Sequence, residues 1–459
     1  MCGFFLLAST PSSNISLDYD RISRISSTID PRGPDARCVY EQKGLLAIHT
    51  HLRINGYSIQ PLLFSDGVAV YNGEIYNEWQ RIAQDPLYSD ANTLVDLLES
   101  EGIDGLPQLD GEFAICVYLP GRRMVCIITD TFGTKPVYYC ARPGQIAVGS
   151  YDSTLLEYDS SVEPIRVPAN TLLVIAIDSG ALVRSQTAFK FDFSLQTADS
   201  YDPWIDAFSA SLKKRTSCRN QQYFVPLSSG YDSGLIAATL SDWNAKFRCY
   251  TVPYLEDESI LRQRIEILRT RGTFTTWMDI SREDYLSMSS YMHSSLSYYR
   301  LSASDFGEEN FPDPDFRNVP GYVAAALICS AARSDGYLIQ LSGQGSDELL
   351  TDYSTGSMRM SELKGDWRNL AGPWKNLHAG WNSIFLGATE RICGLFGIET
   401  RYPFLDRALA QTFINLSPGL KELRFKAPIA TYFDRVNYPY TDRKQGFAGF
   451  NLSQIEHAG

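Results

Sequence analysis

The stretch that decides the fold is Tyr223-Phe224-Val225-Pro226-Leu227-Ser228-Ser229-Gly230-Tyr231-Asp232-Ser233-Gly234-Leu235-Ile236-Ala237-Ala238. Tyr223 to Leu227 has the length and composition of a strand, a polar turn follows, and Leu235 to Ala238 open a helical run. A loop between a strand and a helix amino terminus presents free backbone N–H groups and the positive end of the helix dipole, which together favour an anion. Two hydroxyls, a glycine and a carboxylate in that loop suit a phosphate, with Asp232 on Mg²⁺. No Gly-Lys-Ser/Thr follows, so this is not the Walker arrangement. The composition alone is also that of an ordinary turn, and the neighbouring sequence has to decide.

On the amino side, Trp204, Ala207, Phe208, Ser211 and Leu212 recur at helical spacing; on the carboxyl side, Phe247 to Val252 is a second short strand. Helix, strand, loop, helix and strand make a parallel α/β unit. Leu338-Ile339-Gln340-Leu341 reads as a further strand running into Ser342-Gly343-Gln344-Gly345-Ser346-Asp347-Glu348. Ligands of open α/β sheets bind beyond the carboxyl ends of the strands, so Asp232 and Asp347 are placed to share one Mg²⁺ on a triphosphate. The first 191 residues differ. Gly67–Tyr71, Phe113–Tyr118, Met124–Ile128, Ile146–Val148 and Leu172–Ile177 are short β-rich runs, with one helical stretch after Asp90 marked by Leu94, Leu97 and Leu98. The polar segment Ser194 to Pro203 separates the halves, predicting domains over residues 1–195 and 204–459.

The 459 residues suffice for two or three domains at roughly 100 to 200 residues each. Hydrophobic residues at 44% and charged residues at 20% are globular values that exclude a fibrous or disordered chain. Lys and Arg number 41 against 53 Asp and Glu, and the resulting charge of −12 argues against a general nucleic-acid or anionic-membrane binder. No apolar run reaches the roughly 20 residues of a membrane helix. Met1-Cys2-Gly3-Phe4-Phe5-Leu6-Leu7-Ala8 lacks the positive region of a secretory signal. Nine Cys scattered without a Cys-x-x-Cys pair fit reduced thiols, and a cytoplasmic location is expected. The five His include no His-Glu-x-x-His motif, so a metal is expected on carboxylates and not on imidazoles.

Cys2 directly follows Met1. Removal of Met1 leaves a thiol and an α-amine on one residue, and an amine of pKa about 7.7 to 8.0 is basic enough to serve without a His. The alternative is a structural Cys at a strand start. Tyr71-Asn72-Gly73-Glu74-Ile75-Tyr76-Asn77 favours the nucleophile, because an amide side chain beside a glycine N–H suits a developing oxyanion.

This heptapeptide, with Arg32-Gly33-Pro34-Asp35 and Ser89-Asp90, resembles the glutaminase domain of the class II amidotransferases; Asp110 to Ala114 and Thr129 to Tyr139 extend the likeness. Residues 228–233 are similar to the Ser-Gly-Gly-x-Asp-Ser loop of the ATP pyrophosphatases, and residues 342–349 to the Gly-Glu-Gly-x-Asp-Glu-Leu loop of the asparagine synthetases. Asp257-Glu258-Ser259, the Glu399 to Asp406 element and Lys444-Gln445-Gly446-Phe447 follow in that family's order. The chain thus resembles the glutamine-dependent asparagine synthetases over nearly its whole length. The resemblance implies an α+β amino-terminal-nucleophile domain, an αββα sandwich, followed by an α/β parallel-sheet ATP pyrophosphatase domain. It implies Cys2 as nucleophile, Asn72 and Gly73 as oxyanion hole, and Glu74 and Asp90 on the glutamine amino end. ATP and pyrophosphate fall to Leu227, Ser228, Ser229, Gly230, Tyr231, Asp232, Ser233, Val252, Ser342 and Gly343. Mg²⁺ falls to Asp232 and Asp347, the acceptor pocket to Gln344 and Glu348, and transition-state stabilisation to Lys444. The implied partners are glutamine, ATP and a carboxylate acceptor, and a homodimer is compatible with the family.

Some residues depart from the family pattern. His51 stands where the family has the Arg that clamps the glutamine carboxylate, and His cannot make an Arg-type bidentate fork; Arg53 is the nearby substitute. Thr129 replaces an Arg before Asp130. Ser229 and Gly234 exchange a Gly and a Ser in the phosphate loop. Gln344 replaces a Glu, and Leu350-Thr351-Asp352-Tyr353 replaces Phe-Gly-Gly-Tyr near the acceptor pocket. The stretch from Tyr353 to Gly397 is short for the family. Aspartate is the default acceptor, and a sugar, peptide or natural-product carboxylate is the rival. A synthetase of the β-lactam or lasso-peptide cyclising kind, without glutamine hydrolysis, is a second alternative, and a non-catalytic binding protein a third.

Overall fold

The computed structural model describes residues 2–10, 18–54, 58–85, 87–218, 223–254, 256–297, 315–351 and 367–441. The chain divides into two compact units, Met1–Lys190 with Ser217–Arg219, and Phe191–Thr216 with Asn220–Gly459.

The first unit has two six-stranded sheets. One is ordered β10 (Ile165–Arg166), β8 (Tyr138–Arg142), β9 (Gln145–Gly149), β1 (Gly3–Ser9), β3 (Leu45–His51) and β2 (Ala36–Gln42). The other is ordered β12 (Leu182–Thr187), β11 (Thr171–Ala176), β7 (Met124–Thr129), β6 (Gly111–Leu119), β5 (Gly67–Ile75) and β4 (Leu62–Phe64). Neighbouring strands in both are antiparallel. β1 is buried along its whole length, and apolar apart from Gly3 and Ser9, because both its faces are covered. Phe4, Leu6 and Ala8 join Leu45 and Ala47 of β3 and Val68 and Val70 of β5 in one apolar cluster drawn from both sheets. Phe5 points the other way, its ring 5.5 Å from Tyr158 of the helix Asp152–Tyr158. On the second sheet, Ala69, Tyr71 and Ile75 face the helix Asp90–Glu101 through Ala91, Leu94 and Leu98, the helix expected from its leucine spacing. Burying each large apolar side chain contributes roughly 1.5 to 3 kcal/mol. Strand alternation then carries the inter-sheet face of β3 on to His49 and His51, and that of β5 on to Asn72. The apolar cluster gives way to polar side chains at one rim.

The second unit is built on a five-stranded parallel sheet: β15 (Phe274–Trp277), β14 (Phe247–Thr251), β13 (Tyr223–Pro226), β16 (Ile339–Leu341) and β17 (Glu399–Arg401). Successive strands step outward from β13 in one direction as far as β15, and the chain then returns to place β16 on its other side. The carboxyl ends of β13 and β16 therefore flank a topological switch point, the usual ligand crevice of such sheets. Residues 191–203 pack within this unit: Ala198 bonds to Asn415 and Ser417 through the backbone, and Tyr201 Oη donates to Leu420 O at 2.7 Å. No helix among the described residues is long and apolar enough to cross a membrane, and all nine cysteines are free thiols.

The 399–406 element fastens the sheet edge. Arg401 Nε donates to Glu399 at 2.6 Å with both side chains buried, and Arg401 Nη1 reaches Arg215 O at 2.7 Å. Asp406 caps the helix Arg407–Asn415 and accepts from Lys214 at 2.9 Å and Arg215 at 3.2 Å. Burial opposes ionisation of Asp406, but Arg215 and Lys214 outweigh it and hold the carboxyl below its ordinary range. A depressed folded-state pKa contributes stability that is present above the unfolded value and lost as pH falls through the folded one. Asp406→Ala should therefore cost about 3 to 5 kcal/mol at neutral pH, because the buried Arg215 loses its carboxylate counter-charge. In urea titrations that deficit should shrink below about pH 4.

Candidate functional site

In the first unit the rim is organised around Cys2. Its backbone N–H donates to Asn72 Oδ1 at 2.9 Å, and its carbonyl accepts from Arg32 Nε at 2.8 Å. Arg32 is buried, its guanidinium 4.9 Å from the centre of the Tyr151 ring, so the Arg32 to Asp35 motif acts here by holding the nucleophile's backbone. With Oδ1 committed, the Asn72 Nδ2 amide is buried with no hydrogen-bond partner. A donor held in that state is what an oxyanion site requires. Gly73 has φ +119°, and a Cβ there would lie 1.8 Å from Glu112 O, so no other residue fits. Asp90 accepts from Tyr71 Oη at 2.8 Å and Ile75 N at 3.3 Å, fixing both ends of the segment that carries Asn72 and Gly73. Burial, then Asp90, then Glu74 and Cys2 raise the Tyr71 pKa, which places these groups around one phenol.

Cys2 Sγ lies 3.8 Å from His51 Nδ1. Burial raises its pKa, yet hydrogen bonds to His49 and His51 and the positive amino terminus outweigh it, leaving the thiol well below its ordinary value. His51, which stands where the resembled family has an arginine clamp, thus faces the sulfur. Arg53 is exposed, and its backbone N–H donates to Asp35 at 2.7 Å. Thr129 is structural, its hydroxyl donating to Pro168 O at 2.6 Å.

In the second unit the helix after β13 begins at Tyr231, four residues earlier than the apolar run suggested. The Ser233 hydroxyl accepts from Ser228 N at 3.0 Å and pairs with Ser228 Oγ at 2.8 Å, winding the loop into the helix. Ser229 donates to Glu256 through its backbone N–H at 2.7 Å and through its hydroxyl, the second a tie that glycine lacks. Arg264 Nη1 donates to the carbonyls of Ser228 and Gly230, each at 2.7 Å. A Cβ on Gly234 would lie 2.6 Å from Arg264 Nη1, so the family's Ser is replaced by Gly to admit the guanidinium.

Asp232 and Asp347 meet as expected, and between them lies Lys426. Its ammonium is buried, bonded to Asp232, and 2.9 Å from Asp347 Oδ1. Burial and the Asp347 charge hold Asp232 above the usual carboxylate range against the pull of Lys426, and the two carboxylates raise the Lys426 pKa against its burial. Two hard oxygen donors within reach of one cation are suitable ligands for Mg²⁺. Asp232 and Asp347 would hold it and share its neighbourhood with the ammonium.

These loops line a cavity of about 410 Å³. Its far wall, from the helices Pro320–Ser334 and Gly380–Leu395 and the residue preceding the first, is largely apolar: Val319, Tyr322, Ala325, Ile328, Phe385 and Ile392. No Lys, Arg or His is among the described residues lining it. Gln344 reaches into it, its Oε1 accepting from Thr389 at 3.0 Å and its Nε2 buried without a partner. Glu348 accepts from Gly345 N at 3.0 Å. The Thr351 hydroxyl donates to Asp347 O at 2.8 Å and ends the short helix Ser346–Leu350. Lys444, Asp352 and Tyr353 lie outside the described residues.

Residues 1–187 match the glutamine amidotransferase domain family, and residues 204–386 match the asparagine synthase family. The sequence is 30% identical over 445 residues to the "Probable asparagine synthetase (glutamine-hydrolyzing)" of Dictyostelium discoideum, covering 92% of this chain and 77% of that protein. The chain belongs to the glutamine-hydrolyzing asparagine synthetase family. It is an enzyme of that ligase type. Asparagine synthetase 1 of Saccharomyces cerevisiae is 24% identical over 471 residues (93% of this chain, 78% of that one), and the Asparagus officinalis enzyme 23% over 446 (92% and 71%).

Three site residues of this synthetase-family enzyme escaped sequence reading: Lys426, Arg264 and Glu256. Each is a lone charged residue outside any motif. The usable signal was the acidic pair itself, since two neighbouring carboxylates favour a cation between them. Lys426→Met should lower thermal stability, and added Mg²⁺ should raise the melting temperature of the variant more than that of the wild type. Equal Mg²⁺ effects would show that Asp232 and Asp347 do not share a cation position.

Proposed function

We propose that this enzyme is a glutamine-dependent, ATP-consuming amidotransferase that turns a carboxylate into an amide through an acyl-adenylate. The observation that carries the reading is Asn72, whose Oδ1 is spent on Cys2 while its Nδ2 remains an unpaired buried donor. Residues 1–195 are then an amino-terminal-nucleophile domain of the αββα type, and residues 204–459 the ATP pyrophosphatase domain. Cys2 Sγ, unmasked by loss of Met1, attacks the glutamine side-chain amide. Asn72 Nδ2 and the Gly73 N–H hold the tetrahedral oxyanion, ammonia leaves, and water releases glutamate from the thioester. Glu74 and Asp90 hold the glutamine amino end, with His51 and Arg53 near its carboxylate.

In the second unit the acceptor carboxylate attacks the ATP α-phosphate and pyrophosphate departs. The N–H groups of residues 231–233 at the helix start and Lys426 neutralise it, Lys444 stabilises the transition state, and Leu227, Val252, Ser342 and Gly343 seat the nucleotide. A Mg²⁺ on Asp232 and Asp347 supplies charge neutralisation for the leaving group. Ammonia then attacks the acyl-adenylate to give the amide and AMP. Gln344 offers Nε2 as a donor, which suits an acceptor oxygen better than it suits an incoming ammonia.

Aspartate is the default acceptor, and the cavity supports a second reading. An apolar far wall with no described cation favours a carboxylate carried on an uncharged, apolar body over a free amino acid, whose second carboxylate calls for a positive partner.

Glutamate release from glutamine alone tests the first half. Asn72→Ala should lower kcat roughly 100- to 1,000-fold, and release no greater than that of Cys2→Ala would leave a glutaminase-deficient cyclising synthetase. Pyrophosphate release from ATP, with ammonium as nitrogen donor and a panel of carboxylates, tests the second half. Apolar monocarboxylates should stimulate it more than aspartate, and stimulation by aspartate alone would return the acceptor to the default.

A further inference from the structure

The rim that carries Cys2 has a second chemistry. Cys2 Sγ and one ring nitrogen from each of His49 and His51 lie within 4.8 Å of one another. The convergence is built by the sheet. His49 and His51 alternate onto one face of β3, and β1 runs antiparallel to β3 with Phe4 opposite His49, which brings Cys2 alongside His51. Cys2 and His49 are buried, and the Nε2 atoms of both imidazoles are buried without a hydrogen-bond partner. His51 meets the sulfur through Nδ1, so a metal held there would take that nitrogen and not the buried Nε2.

One thiolate and two neutral imidazoles are soft-to-borderline ligands of the kind that select zinc, whereas the oxygen pair Asp232 and Asp347 suits a hard ion. Metal bonds of about 2.0 to 2.3 Å in a tetrahedron imply ligand separations of roughly 3.5 Å. Cys2 Sγ and His51 Nδ1 at 3.8 Å are already close to that spacing, and the third ligand atom has only a short side-chain movement to make. We propose that Cys2, His49 and His51 form a Zn²⁺ site with one open coordination position, in which the metal caps the thiol. On binding, the Cys2 S–H bond breaks, its proton passes to solvent, and the sulfur and two ring nitrogens donate their lone pairs with no change in oxidation state. Zn²⁺ is then a reversible brake on the nucleophile. The brake rests on the glutaminase reading, but the metal site does not.

The test uses the full-length enzyme and needs no glutamine. Titrated Co²⁺ should give a sulfur-to-cobalt charge-transfer band, which carboxylate-bound Co²⁺ does not give, and Zn²⁺ should abolish it by displacement. The band should vanish in Cys2→Ser, and His51→Gln should bind roughly tenfold more weakly or worse. In the wild type, Zn²⁺ should slow alkylation of Cys2 by iodoacetamide, read by mass spectrometry, and a chelator should restore it. A band that survives in Cys2→Ser, a Co²⁺ affinity unchanged in folded His51→Gln, or Cys2 alkylation indifferent to Zn²⁺ overturns the site. No glutamate release from the metal-free enzyme, in a protein that still gives the band with Co²⁺, would overturn the glutaminase reading alone.

Discussion

Two carboxylates held side by side each raise the cost of ionising the other, and a cation between them relieves that cost. In this enzyme that constraint falls on Asp232 and Asp347, and Lys426 meets it. The loops after β13 and β16 are drawn to one ammonium, and the crevice they enclose inherits its polarity. Arg264 takes the carbonyls of Ser228 and Gly230, while the N–H groups of Ser228, Ser229 and Gly230 are spent on Ser233, Glu256 and Ser228 side chains. Ser229 and Glu256 hold the same loop from the other side. The site is a set of charges each placed to make another tolerable.

Much of this architecture was legible from the chain. Strand alternation and helical spacing located the elements, and the loops past β13 and β16 announced themselves by composition. What escaped has a common physical cause. Lys426, Arg264 and Glu256 act through long-range pairing, and nothing in their immediate neighbours distinguishes them from solvated charges. His51 departs from the family pattern in sequence, but its contact with Cys2 is set by sheet register. Period-two alternation puts His49 beside it and antiparallel pairing puts Cys2 opposite, and neither relation is visible in the spacing of histidines along the chain.

The two chemical centres differ in the kind of atom they present. The Cys2 rim offers sulfur and nitrogen within an otherwise apolar cluster, and the switch-point crevice offers carboxylate oxygen, hydroxyls and backbone N–H groups. Carbon–nitrogen ligation of this family needs both, one to free a nitrogen from an amide and one to activate an oxygen acid. The acceptor side of the crevice is where this chain is most individual, since Gln344 turns a donor and not an acceptor toward the cavity.

The strand order of the parallel sheet also bears on how the enzyme comes into being. β13 and β16 are neighbours in space but roughly a hundred residues apart in sequence, so the crevice closes only after the chain between them has been formed and folded back. Such distant parallel pairings are the slow steps of folding. Until the last of them is made, the two acidic loops have no common cation, and the long return path to β16 sets when the crevice between them is completed.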